Sequence, residues 1–88
     1  SLINPDACDL VIEIGPGLGG LSEALLNNNV KKILQVEKDR QFTQLLNALK
    51  SKYPDQIDII FEDATNFNFD IENYEKITII SNLPYNGN

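Results

Sequence analysis

The sequence has little cysteine, little positive charge and no long apolar run. Its single cysteine, Cys8, cannot form a disulfide within the chain, so a reducing compartment is expected. No apolar stretch approaches the roughly 20 residues that a membrane-spanning helix needs, and no signal-like segment opens the chain. We therefore expect a soluble, cytoplasmic protein with no membrane partner, and we predict no metal site.

The charge balance is acidic. Seven lysines and arginines stand against thirteen aspartates and glutamates, which gives a net charge of −6. No basic cluster is longer than Lys31-Lys32, so nothing in this composition attracts a phosphate backbone, and contacts to a nucleic acid would have to be made elsewhere. With 88 residues, 42% of them hydrophobic and 23% charged, the chain has the composition of one small globular domain.

The spacing of apolar residues alternates between a strand period and a helix period. Short β-branched or apolar runs predict strands at residues 10–14, 32–36, 57–61 and 76–80. Leucines at helical spacing predict a helix over residues 19–26, which the asparagines at 27–29 end. Asp39 can cap a second helix, in which Phe42, Leu45, Leu46 and Leu49 form the apolar stripe, and which ends before Pro54.

This order of strands and helices is typical of an α/β fold with a parallel sheet. The carboxyl ends of parallel strands face the ligand crevice of such a fold, so the residues that follow each strand are candidates for a binding site. All four predicted strand ends carry a polar group or a glycine that could bind a ligand. The convergence of four such groups at one edge is stronger evidence for a ligand-binding site than any single motif.

A glycine-rich turn follows the first strand. Gly15, Gly17 and Gly20 fit the G-x-G-x-x-G template, in which glycines let the backbone turn sharply and approach a ligand. Glu37 ends the second strand, where a carboxylate can accept hydrogen bonds from two ribose hydroxyls. The alternative for the glycines is a plain tight turn without a ligand, and the alternative for Glu37 is a solvated strand end. Together the two features indicate a ribose-containing cofactor, and both NAD and S-adenosylmethionine satisfy them.

Two further acids favour S-adenosylmethionine. Glu13, just before the glycines, would repel a pyrophosphate but suits an ammonium and a sulfonium. Asp63, after the third strand, can accept a hydrogen bond from the exocyclic amine of adenine, while Ala64 offers a backbone amide to a ring nitrogen. Asp63 could instead be a helix cap.

The fourth strand is followed by Asn82, Leu83, Pro84 and Tyr85, which fit methylation of an exocyclic amine on a planar ring. The Asn82 side-chain oxygen and the Leu83 carbonyl can each accept one N–H, which turns the nitrogen lone pair toward the methyl group. Pro84 fixes the backbone, and Tyr85 can stack on an extruded base. The alternative is a turn that ends the strand, with a buried tyrosine.

The motifs together resemble one known family. The segments EIGPGLGGLS (13–22), VEKD (36–39), EDA (62–64) and NLPYN (82–86) are similar to those of the small-subunit rRNA adenine dimethyltransferases. The resemblance implies a partial Rossmann-like class I methyltransferase fold, with four parallel strands in the order 3-2-1-4 and crossover helices. It also implies S-adenosylmethionine-dependent dimethylation of two adjacent adenines near the 3′ end of 16S rRNA, a step of ribosome biogenesis.

Carried over by position, the resemblance assigns Gly15, Glu37, Asp63 and Asn82 to the cofactor. It assigns Asn82, Leu83 and Tyr85 to the target adenine, and Ser22 stands where the family often has threonine.

We expect residues 1–88 to be the amino-terminal part of the catalytic domain, without an upstream cofactor-binding segment, the later strands and a basic carboxy-terminal RNA-binding domain. The partner would then be rRNA in the small ribosomal subunit, contacted mostly through those other parts. The exposed edges of a four-stranded sheet also carry a risk of self-association. Two alternatives stay open: another class I amino-methyltransferase, acting on DNA adenine or protein glutamine, and a non-catalytic cofactor-binding half-domain.

Overall fold

A computed structural model of the chain describes residues 9–17, 19–28, 30–66, 68 and 74–81. Within these ranges four strands and two α-helices follow one another, with short 3-10 helices at Arg40–Phe42 and Ala64–Asn66. The strands and α-helices are, in chain order, β1 (Leu10–Ile14), α1 (Gly20–Leu26), β2 (Ile33–Val36), α2 (Thr43–Lys52), β3 (Ile57–Ile60) and β4 (Ile77–Ser81).

The four strands form one parallel sheet in the order β3-β2-β1-β4, which confirms the predicted fold class and strand order. Apolar strand runs separated by helical segments require this arrangement, because parallel neighbours can be joined only by long crossovers. The sheet places β1 in the interior, directly between β2 and β4.

Both α-helices pack on one face of the sheet. The buried cluster on this face contains residues from β1, β2, β3, α1 and the segment after α1: Val11, Leu25, Leu26, Val30, Ile33 and Ile57. Val11 and Ile33 are 0% exposed, as expected for β-branched side chains between a sheet and its helices. This cluster fixes α1, and with it the turn that leads into α1, against the sheet.

The opposite face is built around Leu10, Ile12 and Val36, against which Ala64 and Tyr74 pack. Ile79 is the exception. It lies opposite Ile12 in β4, an outer strand of the described sheet, and is 61% exposed. The predicted self-association through such an edge stays a prediction.

Asp39 caps the 3-10 helix Arg40–Phe42 that leads into α2, because its side chain accepts a hydrogen bond from the Gln41 backbone N–H at 3.0 Å. The N-cap of α2 itself is Phe42, so the predicted cap lies one short helix earlier than expected, and α2 begins at Thr43. Its apolar stripe is only partly buried: Leu46 is 0% exposed, whereas Leu45 is 50% exposed. The helix contacts β3, an outer strand of the described sheet. Leu45 thus fits the spacing of the stripe but is not part of the core.

No helix among the described residues is long and apolar enough to cross a membrane. Within the same ranges, no group of three or more His, Cys, Asp or Glu side chains could hold a metal ion. Cys8 lies outside the described residues, and the cytoplasmic location stays a prediction.

Candidate cofactor site

All four strands end at the same level. Ile14, the last residue of β1, pairs with Val36 of β2 on one side and with Ser81 of β4 on the other, and Val36 pairs with Ile60 of β3. Each of these residues is the last in its strand. The segments that follow the strands therefore start side by side along one edge of the sheet, where α/β folds bind their ligands.

The turn after β1, which we call the glycine turn (residues 15–17 and 19), contains Gly15 and Gly17 of the predicted template. The third template glycine, Gly20, is instead the first residue of α1, and an added Cβ there would have no atom within 4 Å. Gly15, Gly17 and Gly19 have φ values of 73°, 57° and 82°. Side-chain-bearing residues rarely adopt this left-handed region. At Gly19 space is also limited, since an added Cβ would lie 2.9 Å from Cδ2 of Leu49. The turn thus needs glycine for both conformation and room.

Glu37 connects the glycine turn to the end of β2. Its carboxylate Oε1 accepts the Gly17 backbone N–H at 2.9 Å, and Oε2 accepts the Asp39 backbone N–H at 3.1 Å. Its own backbone N–H donates to the carbonyl of Ile60, the last residue of β3, at 2.9 Å. With 5% exposure, Glu37 is held firmly in place. Two residues predicted to bind the cofactor, Gly17 and Glu37, are thus in direct contact.

The Glu37 carboxylate keeps acceptor capacity for a ligand. A carboxylate offers about four lone-pair positions, and the two backbone N–H groups occupy two of them. About two positions remain, which matches the two hydroxyls of a ribose. The residues present therefore fit a ribose-containing cofactor.

Glu13 lies on the helix-covered face of the sheet and is 0% exposed. Its Oε1 accepts a hydrogen bond from the Ser22 hydroxyl in α1, and the Ser22 oxygen accepts one from Nε2 of Gln35 in β2 at 2.7 Å. Sequence reasoning assigned Glu13 to the cofactor but missed the part that Ser22 and Gln35 play. The sequence did contain a signal that Glu13 is buried. Val11 is an obvious core residue, and Glu13, two positions later in β1, lies on the same face of the strand.

Asp63 caps the 3-10 helix that follows β3. Its Oδ1 accepts hydrogen bonds from the backbone N–H and the hydroxyl of Thr65, at 3.0 and 2.9 Å. These two bonds, the backbone one above all, hold the pKa of the Asp63 carboxyl below its usual value. The structure thus shows the cap that sequence analysis weighed as the alternative to adenine binding. Ala64 packs against the sheet, and both hydrogen bonds of the cap go to Oδ1 of Asp63, which leaves Oδ2 for a ligand.

The predicted catalytic residues Asn82, Leu83, Pro84 and Tyr85 lie outside the described residues. Asn82 directly follows Ser81, which ends β4 at the same edge as Gly15 and Glu37. Their roles remain predictions.

Comparison with known proteins gives a consistent result. A family model described as ribosomal RNA adenine dimethylase matches residues 1–88. The chain is 43% identical over 77 residues to a protein named ribosomal RNA small subunit methyltransferase A from Afipia carboxidovorans. It is 41% identical over 76 residues to the protein of the same name from Rhizobium meliloti, and 39% identical over 77 residues to that from Anaplasma phagocytophilum.

Each of these alignments covers 86% of this chain. The same alignments cover 27 to 28% of the relatives, so the chain spans less than a third of their length.

Proposed function

This chain belongs to the ribosomal RNA adenine dimethylase family, and we propose that the whole protein transfers methyl groups from S-adenosylmethionine to the exocyclic amine of adenine in small-subunit rRNA. The observation that carries the proposal is the contact between Gly17 and Glu37 at the ligand edge of the sheet. It joins a turn that lets a ligand approach the backbone to a carboxylate that can accept ribose hydroxyls. We propose two adjacent adenines as the target and ribosome assembly as the setting.

The cofactor would lie along the edge formed by the four strand ends. Glu37 would hold the ribose through its remaining acceptor positions, and Gly15 and Gly17 would let the methionine half come close to the backbone. At the end of β3, Oδ2 of Asp63 would accept from the adenine amine, and the backbone amide of Ala64 would face a ring nitrogen. When bound, S-adenosylmethionine supplies an electrophilic methyl group on its sulfonium.

Glu13 would act on this cofactor through its charge and not through contact, because its carboxylate is fully buried against Ser22. In its ionised form, a carboxylate next to the glycine turn disfavours a pyrophosphate and favours a cationic ligand. This supports S-adenosylmethionine over NAD.

Asn82, Leu83, Pro84 and Tyr85 would orient the target base. The Asn82 side-chain oxygen and the Leu83 carbonyl each accept one adenine N–H, so that the nitrogen lone pair points at the methyl group instead of into the ring. Pro84, which follows both residues, would restrain the backbone so that the two acceptors point the same way, and Tyr85 would stack on the base. Since an amide is no base, the proton leaves the methylated nitrogen by another route.

The test is methyl transfer by the whole protein. It is incubated with S-adenosylmethionine carrying a labelled methyl group and, in separate reactions, with small ribosomal subunits that lack the modification, with DNA and with protein. The RNA and DNA are then digested to nucleosides and the protein to amino acids. We expect label in N6,N6-dimethyladenosine, which Asn82→Ala abolishes and Asn47→Ala, on an exposed part of α2, leaves unchanged. Label in DNA adenine or in protein glutamine instead would overturn the substrate assignment. Binding of S-adenosylmethionine without methyl transfer to rRNA, DNA or protein would favour a non-catalytic role.

A further inference from the structure

Three buried polar side chains connect the glycine-turn region to the middle of the sheet. We call Glu13 of β1, Ser22 of α1 and Gln35 of β2 the buried polar triad. All three are 0% exposed, and Glu13 and Gln35 lie directly opposite each other in the β1–β2 ladder. The Ser22 hydroxyl bridges them, since it donates to Oε1 of Glu13 and accepts from Nε2 of Gln35 at 2.7 Å.

The direction of these bonds follows from the chemistry of the groups. A serine hydroxyl has one proton, and an amide nitrogen can only donate. Because the Ser22 proton points at Glu13, its oxygen is free to accept from Gln35, and both bonds run toward the carboxylate. The orientation of Glu13 thus depends on Ser22, and that of Ser22 on Gln35.

Stability alone does not account for this arrangement. Oε1 of Gln35 is buried and has no hydrogen-bond partner among the described residues. An apolar side chain of the same shape would remove that unpaired acceptor, and such replacements are often neutral or stabilising. Conflicts of this kind between local packing and buried polarity concentrate at functional sites.

The triad sits directly under the proposed cofactor site. Ser22 is the third residue of α1, which starts right after the glycine turn and has Gly19 as its N-cap. Gln35 is two residues before Glu37 on β2, and Glu37 holds Gly17. Strand β2 therefore fixes the glycine turn at Gly17 through Glu37 and fixes the following helix through Gln35 and Ser22.

We propose that Ser22 and Gln35 are positioning residues, which set the glycine turn and the Glu13 carboxylate against the amino-acid half of the cofactor. This inference rests on the proposed use of S-adenosylmethionine. It separates the two halves of the ligand: the nucleoside half depends on Glu37, and the amino-acid half depends on the triad.

The experiment compares two ligands on the whole protein by isothermal titration calorimetry. S-adenosylhomocysteine has both halves of the cofactor, and adenosine has the nucleoside half alone. The variants are Ser22→Ala, Gln35→Met, which keeps the shape of the side chain without its donor, and the double variant. Ser51→Ala and Gln44→Met, both at exposed positions of α2, are the matched controls. Thermal unfolding of every variant is recorded alongside.

We expect Ser22→Ala to weaken S-adenosylhomocysteine about 10-fold, as for the loss of a hydrogen bond to a charged group, and to change adenosine less than 2-fold. Gln35→Met should weaken S-adenosylhomocysteine without lowering the melting temperature. Because both residues act through one chain of bonds, the double variant should bind no more weakly than Ser22→Ala.

Equal weakening of both ligands, or affinity losses that simply add in the double variant, would overturn the proposal. So would unchanged binding of S-adenosylhomocysteine in variants that melt at lower temperature, because the triad would then serve stability alone. Failure of the unmodified whole protein to bind S-adenosylhomocysteine would contradict the proposed function itself, which keeps the two failures apart.

Discussion

Replacing Glu37 by glutamine changes one oxygen of the site into an amide nitrogen at nearly constant shape. The carboxylate accepts two backbone N–H groups, from Gly17 at 2.9 Å and from Asp39 at 3.1 Å. A glutamine has one acceptor oxygen, so one of the two N–H groups must face an NH₂ donor. With 5% exposure at this position, water cannot fully replace the lost acceptor.

Glu37→Gln changes two free energies, that of unfolding and that of cofactor binding. An unsatisfied buried N–H costs about 1–3 kcal/mol, which for a chain of this size lowers the melting temperature by about 4 °C or more. The ribose then loses a charge-assisted acceptor worth about 1.5–3 kcal/mol, so the Kd for S-adenosylhomocysteine should rise about 10- to 150-fold.

Calorimetric titration and thermal unfolding measure the two parts separately. Glu62→Gln is the matched control, because it makes the same change of charge at an exposed position after β3. We expect its Kd and melting temperature to stay close to those of the unmodified chain. An unchanged Kd in Glu37→Gln, or equal losses in the two variants, would refute the assignment of Glu37 to the ribose.

Three further predictions concern the scaffold. Gly19→Ala should lower the free energy of unfolding by about 1–3 kcal/mol, since φ is +82° and the new Cβ would lie 2.9 Å from Leu49 Cδ2. Denaturant unfolding measures this loss, and an unchanged denaturant midpoint would contradict the geometry of the turn. Leu46→Ala, at a side chain with 0% exposure, should cost about 2–5 kcal/mol in the same assay, and a loss below that of a surface substitution would contradict its burial. The hydrogen bond from Lys32 lowers the pKa of Asp58 from its ordinary 3.8, so Lys32→Met should raise that pKa in an NMR titration. Because the native pKa of Asp58 is depressed, the stabilisation by the Lys32–Asp58 pair exists above pH 3.8 and is lost as the pH falls through the native pKa. A difference in the free energy of unfolding between the unmodified protein and Lys32→Met that persists below the native pKa would refute the pairing.

The sequence predicts the sheet well because each strand is a compact apolar run. Strand β1 has the predicted limits Leu10–Ile14, and the other three differ from prediction by one residue at one or both ends. The parallel order follows from the alternation of strands and helices, which leaves few connections possible. The glycine turn is predictable for a similar reason, since closely spaced glycines favour positive φ values.

Other features depend on tertiary contacts that periodicity does not show. Leu45 fits the apolar stripe of α2, yet it is 50% exposed because the helix packs at the outer strand of the sheet. Gln35 interrupts the apolar run of β2, and only the fold reveals that it meets Ser22 where α1 packs on β2. An aspartate such as Asp63 can either cap a helix or bind a ligand. Which of the two it does depends on whether a backbone N–H, here that of Thr65, lies within reach of its carboxylate.

The glycine turn and Glu37 together are proposed to hold S-adenosylmethionine. The most direct test is a titration of the ¹⁵N-labelled chain with S-adenosylhomocysteine and, separately, with NAD, followed by amide NMR shifts. We expect S-adenosylhomocysteine to produce its largest shifts at Gly15, Gly17 and Glu37, and NAD to leave these amides in place. Shifts at these three amides with NAD but not with S-adenosylhomocysteine would contradict the claim.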